Sequence, residues 1–271
     1  MQTNNSLSLD EPPSPSPSTW SNRIGAMLTK SSVLSLSSVI GALLLWELLT
    51  RFVFVSVLIP SFSAVLAKGW SLLISGELIE HTAASLGRIG GGFLLGSLIG
   101  APLGLAMGVS RHVRAVFDPF VQFFRFIPAI AWLTPVVIWF GLGDTSKVVI
   151  ILYSTVFTVA INAAVGVANI PENKIWAGLT LGATRRQVFF HIVIPTTMPF
   201  VLTGMRLAMG YAFTGVVSAE MIASESGLGF LIFNSRLWMA TDSIFVAILV
   251  LGFLGWGCDS LFRYATRRFT H

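Results

Sequence analysis

Six runs of about twenty predominantly apolar residues leave this chain little choice of fold. In hydrocarbon no water satisfies backbone N–H and C=O groups. A run of that length therefore crosses as an α-helix, whose hydrogen bonds close within the segment. The runs fall at about 33–55, 86–109, 119–142, 148–168, 198–222 and 244–263. Of the 271 residues, 54% are hydrophobic and 11% charged. A soluble domain carries about 25% charged residues, so this chain lacks the polar atoms to coat a water-facing surface. That excludes an ordinary soluble enzyme, and a nucleic-acid binder as well, despite a formal net charge of +5. The expected fold class is an all-α integral membrane protein with six transmembrane helices.

Residues 1–32 differ in kind. The run Pro12-Pro13-Ser14-Pro15-Ser16-Pro17-Ser18 offers few backbone donors and no apolar face. It predicts a disordered Ser/Pro-rich tail leading into the first span. A transmembrane domain is expected over 33–265 and a basic C-terminus over 266–271. No basic stretch leads into a short apolar run with a cleavage site, so the first span is expected to serve as its own targeting signal. Placing the N-terminus in the cytoplasm puts ten Lys and Arg inside: Arg23, Lys30, Arg111, Arg114, Lys174, Arg185, Arg186, Arg263, Arg267 and Arg268. Five fall outside: Arg51, Lys68, Arg88, Lys147 and Arg236. Cytoplasmic segments carry the excess of Lys and Arg. Both termini and the 169–197 segment are therefore expected to face the cytoplasm.

The second span carries Gly92, Gly96, Gly100, Gly104 and Gly108 at four-residue spacing. Small residues let helix backbones approach closely in lipid. Each four-residue step drifts about 40° around a helix, so the stripe is expected to suit a crossing partner rather than one parallel seam. It serves either static packing or sliding during gating. The third span holds Arg125, Pro128 and Pro135. An intramembrane Arg costs roughly 2.5–3.5 kcal/mol on insertion scales; this one either snorkels to the inner interface or contacts a solute. The fifth span places Thr203, Gly210, Thr214 and Ser218 on one side, with Glu220 near its outer end, and the fourth contains Asn162. Arg125, Asn162, Thr214, Ser218 and Glu220 together form a candidate translocation pathway, the alternative being helix docking. Glu47 and Arg51, four apart, are expected to pair.

No catalytic constellation emerges. His81, His112, His191 and His271 are scattered without ligand spacing, and Cys258 is the one cysteine. No metal site and no cofactor are expected on this chain. Without a Walker-type phosphate loop it is not expected to hydrolyse nucleotide.

The segment 169–199 reads NIPENKIWAGLTLGATRRQVFFHIVIPTTMP. Pro171 opens a helix that runs to about Leu181 and stops at Gly182. Thr184-x-x-Gln187 is a capping box for a second helix, which carries Val188, Phe189 and Ile192 and is expected to end at Pro195. Two short helices thus meet at a glycine bend, with Arg185 and Arg186 beside it. A basic knob of that size suits a groove in another protein.

Ala177-Gly178, Gly182 and Ile192-Val193-Ile194-Pro195 resemble the EAA-loop signature of permease subunits of bacterial ABC importers. The Gly, the Ile and the Pro stand at that signature's spacing. Trp176 replaces its Glu, Gly178 its second Ala and Ile194 its Leu. The likeness continues in Ile59-Pro60-Ser61, in His81 with Ser85-Leu86-x-Arg88, in RFIPAIAWLTPVVIWFGLG over 125–143, and in Ser218-Ala219-Glu220-Met221. These are similar to the nitrate/sulfonate/taurine/bicarbonate-type permeases, over about residues 58–265.

The resemblance implies a type I importer permease core in a bacterial inner membrane. A second permease copy would complete a homodimer, and two cytoplasmic ATP-binding subunits would dock on the loops. A solute-binding protein would deliver cargo from outside. Trp176, Ala177, Gly178, Gly182, Thr184, Arg185, Ile192 and Pro195 would make up the coupling loop. ATP and magnesium would belong to the partner ATPase. The implied cargo is a small anion such as nitrate, bicarbonate, a sulfonate or taurine. The competing expectation is a secondary transporter or channel that works without an ATPase.

Overall fold

A computed structural model describes residues 17–53 and 58–267, with side chains from residue 34 onward. Residues 1–16 of the tail and lead-in expected over 1–32 lie outside the described residues, as does most of the C-terminal segment. Helix α1 (Pro17–Phe52) forms a unit of its own, and Val57–His271 form the second. α1 starts at Pro17, so residues 17–32 are helical backbone. A proline at the first helical position sacrifices no hydrogen bond, and none follows before Pro60. Within α1, Arg51 Nε lies 2.6 Å from Glu47 Oε1.

The second unit opens with α2 (Phe62–Ile74), capped by Ser61, whose Oγ accepts from the Ala64 amide. Gly76, at φ 83°, turns the chain into α3 (Glu77–Val109). α4 (Arg111–Phe124) follows with Ser110 as its cap; then come a 3-10 turn (Ala129–Trp132) and α5 (Leu133–Phe140). α6 (Asp144–Ala168) leads to α7 (Glu172–Thr180) and α8 (Arg185–Val188). A π-turn (Phe189–Val193) runs into α9 (Ile194–Ala223). α10 (Leu228–Leu237) and α11 (Thr241–Thr266) complete the chain.

The core is built from α3, α6 and α9. Ile89 and Phe93 of α3, Ile151 and Val159 of α6, and Ala208, Ala212 and Val216 of α9 form one buried cluster. The glycine stripe of α3 faces α6 alone. A Cβ at Gly92 would meet Ile151, and at Gly96 it would fall on the Thr155 hydroxyl. At Gly100, Gly104 and Gly108 it would meet Val159, Ala163 and Val167. Each partner stands 59 positions further on, so the helices run parallel and in register for four steps, about 24 Å. The expectation of a crossing partner is thus corrected. Both helices contact through four-residue rows, their drifts match, and the pair winds together. α9 packs antiparallel on the same helix, with Gly166 against Phe200, Gly204 against Asn162 and Gly215 against Ser154.

The third span is not one helix. α4 and the segment over Ala129–Phe140 are bent by 92° at a short break. Pro128 cannot donate there, and the last turn of α4 tightens through Phe126 N to Phe123 O and Ile127 N to Phe124 O. Pro135 sits in the first turn of α5, where no intrahelical N–H is required, and adds no kink. Among the described residues five helices are long and apolar enough to cross a membrane, six if the bent pair counts as one. The parallel α3–α6 pair decides for six, because residues 110–143 must carry the chain back along the length of α3 before α6 begins.

Candidate functional site

Arg125 ends α4 at the break, and the break opens a cavity of about 550 Å³. α6 contributes Tyr153, Ser154, Thr158 and Asn162 to its wall; α9 contributes Leu207, Tyr211, Thr214 and Ser218. Four of the five expected pathway residues, Arg125, Asn162, Thr214 and Ser218, therefore meet on one cavity. The small polar groups are each satisfied by a carbonyl four residues earlier. Asn162 Nδ2 donates to Thr158 O at 2.8 Å, Thr214 Oγ1 to Gly210 O at 3.2 Å, and Ser218 Oγ to Thr214 O at 3.1 Å. Such local bonds allow the wall to stand without a solute and to re-aim toward one. Arg125 differs from them. Its guanidinium lies 4.6 Å from the Phe126 ring centroid, and no carboxylate among the described residues forms an ion pair with it. Arg206, by contrast, is paired with Asp259 at 2.5 Å. Arg125 thus supplies unneutralised positive charge to the cavity.

Glu220, the fifth expected pathway residue, is corrected: it is fully buried and lines no part of this cavity. Its carboxylate accepts from Ser85 Oγ at 2.8 Å, from Arg88 Nη1 at 2.7 Å and from the Gly229 amide at 2.9 Å. Arg88, 7% exposed, also donates to Asp144 at 2.8 Å and to the Ser226 carbonyl and hydroxyl at 2.7 and 3.0 Å. The Leu228 amide donates to Ser85 Oγ and the Gly227 amide to His81 Nδ1. A helix start exposes amides that need acceptors. Here His81, Ser85 and Glu220 supply them to α10, so the cluster clamps α3, α6, α9 and α10 together. Sequence reasoning missed this role, taking Arg88 as a topological charge and, with His81 and Ser85, as a mark of the family likeness. The available signal was spacing, since His81, Ser85 and Arg88 recur at four and three residues, one polar face on an otherwise apolar helix.

At the other end of α9 the loop takes the helix–Gly–helix shape. α7 ends at Leu181, and Gly182 turns the chain at φ 86°, a conformation that favours glycine. Thr184 and Gln187 form a reciprocal capping box, with Thr184 N donating to Gln187 Oε1 at 2.8 Å and Gln187 N to Thr184 Oγ1 at 3.3 Å. Ile170, Val188 and Val193 make a small core beneath it, flanked by Ile175 and Ile192. Gly178 lies so close to Ile192 that a Cβ would come within 2.7 Å of its Cδ1. Outside that core, Trp176 (63% exposed), Ala177, Leu181 (88%), Thr184 and Arg185 face outward. The second short helix does not end at Pro195. It passes through the π-turn into α9, giving one helical run over Arg185–Ala223. The wider turn, closed by Ile194 N to Phe189 O, accommodates the proline ring that would break a regular helix.

Among the described residues no group of three or more His, Cys, Asp or Glu is placed to hold a metal. Residues 92–271 match the family described as the binding-protein-dependent transport system inner membrane component. The chain belongs to this family. The permease is 36% identical to a putative ABC transporter permease of Methanocaldococcus jannaschii over 87% of this chain and 90% of the relative. It is 34% identical to the taurine transport system permease of Escherichia coli, over 90% of each chain. It is 30% identical to the nitrate import permease of Leptolyngbya laminosa, over 75% and 76%. Its fold is that of a chain in the inward-facing methionine ABC transporter MetNI, with a TM-score of 0.64 at 18% identity over 73% of this chain and 98% of that one. The permease is therefore a multi-pass transmembrane subunit of the ABC importer class, built on the type I core.

Proposed function

We propose that this permease forms half of the pathway of an ATP-driven importer for a small organic or inorganic anion. The reading places two copies in the inner membrane with both termini in the cytoplasm. An ATP-binding subunit sits on each α7–α8 knob, and a solute-binding protein delivers cargo at the opposite end. One observation carries it: a single helical run joins the exposed knob at Arg185 to the cavity wall at Thr214 and Ser218. A push on the knob is delivered along that run and reaches Thr214 and Ser218 after about 44–50 Å of helix. ATP and magnesium act on the partner, and the nucleotide shifts the equilibrium only by binding one global state better than the other. The unpaired guanidinium of Arg125 favours an anion, and the taurine and nitrate permeases among the relatives support that class.

Two variants test the reading in the assembled importer. Gly182→Val is forced into a left-handed conformation that β-branched residues resist, and it is expected to lose co-purification with the ATPase. Arg125→Ala is expected to abolish anion uptake while the complex still assembles. Retained ATP-coupled uptake in Gly182→Val would refute the coupling role. Undiminished uptake in Arg125→Ala would return Arg125 to anchoring at the interface.

A further inference from the structure

Breaking a helix inside a membrane strands backbone carbonyls, and something must hold the two halves at one angle. At the α4–α5 break that partner is Tyr153 of α6. Its hydroxyl donates to Phe124 O at 2.6 Å and is shared with Ile127 O at 3.2 Å, the carbonyls on either side of Arg125. Its ring packs against Trp132 beyond the break at 5.7 Å and against Phe157 at 5.3 Å, while Phe124 stacks on Phe157 at 6.3 Å. Tyr153 also belongs to two cavities. It lines the one that contains Arg125 and an apolar pocket of about 320 Å³ behind it, walled by Trp132, Val136 and Phe140.

We propose that Tyr153 is the positioning residue for Arg125, a latch that fixes the angle of the break and so holds the guanidinium in the pathway. The proposal rests on the anion-pathway reading above for its consequence, though not for its geometry. The hydroxyl ties α6 to the backbone carbonyls of the break, whereas the ring is packing. Tyr153→Phe therefore removes the latch and leaves the wall.

Two measurements separate these parts. In the full complex with Cys258→Ser as background, Ala129→Cys reports the cavity side of the break. Its reaction with a sulfonate-bearing methanethiosulfonate is expected to become several-fold faster when Tyr153→Phe is added. An unchanged rate would overturn the proposal. In uptake assays with taurine, butanesulfonate and nitrate as probes, Tyr153→Phe is expected to lower maximal uptake about five- to tenfold, the worth of one hydrogen bond. The amount of assembled complex should not change. Undiminished uptake in Tyr153→Phe would also overturn the proposal. Should Arg125→Ala leave uptake intact, the anion reading fails, and the cysteine rates alone decide the latch.

Discussion

Removing the charge at Glu220 gives the sharpest test of the architecture. Every group facing its carboxylate donates: the Ser85 hydroxyl, the Arg88 guanidinium and the Gly229 amide. Ser85 Oγ already accepts from the Leu228 amide at 2.8 Å, so accepting from a second donor as well would leave its own O–H without the carboxylate. The site thus calls for an acceptor-only side chain. Glu220→Gln fits the space but must turn an NH₂ group toward a donor, losing one charge-assisted bond for about 2–3 kcal/mol. Glu220→Ala leaves Arg88 buried without its inner carboxylate, a loss of about 3–5 kcal/mol for a broken buried pair. Asp144→Asn is the control. Asp144 contacts the same guanidinium but is 73% exposed, so its change is expected below about 1 kcal/mol. The assay is thermal inactivation of the detergent-purified importer, read as the fraction still monodisperse after heating. The expected order of stability is wild type, Asp144→Asn, Glu220→Gln, Glu220→Ala. A Glu220→Gln permease as stable as wild type but inactive in uptake would refute the clamp and return Glu220 to the pathway.

The α3–α6 seam predicts a contrast between two glycines of one helix. Gly96→Ala drives a methyl onto the Thr155 hydroxyl and is expected to destabilise by about 1–3 kcal/mol through overpacking. Gly90→Ala meets nothing within 4 Å and is expected to be neutral in the same thermal assay. Thr184→Ala removes one half of the capping box, about 1 kcal/mol, and is expected to speed proteolysis between Leu181 and Arg185 without altering the spans. Equal proteolysis in wild type and variant would show that the cap does not hold the knob.

The apolar runs were legible because the bilayer imposes one answer on them. The knob was legible for a similar reason, since a C-terminal glycine and a capping box act over four residues and need no tertiary context. The third span was legible as a helix weakened at its prolines but not in its angle; the 92° bend depends on Tyr153 and Trp132, whose approach is tertiary. Pro195 was read as a stop because the π-turn that absorbs it has no local signature here. Glu220 illustrates another limit. A carboxylate near a span's end reads as a pathway group until its donors are known, and two of them, Ser85 and Arg88, lie more than 130 positions away.

The same contacts decide which part of the permease can move. Five glycines of α3 interlock with α6 at a four-residue repeat, so sliding proceeds only by whole steps of about 6 Å, each unseating every contact at once. The stripe is therefore a fastening rather than a sliding surface. α9 joins this block through the close approaches of Gly204 and Gly215 and through the Glu220 clamp at its far end. α3, α6 and α9 are thereby packed as one body. α4–α5 turns at a break and rests on this block through small clusters, one around Val121 shared with α3 and α6 and one around Leu133 and Val136 shared with α6 and α9, with Tyr153 bonded to the break itself. Arg125 sits at that break. The cavity lies where that block and that arm meet, so a change in the angle of the break would alter its wall at Arg125, the one unneutralised cation there.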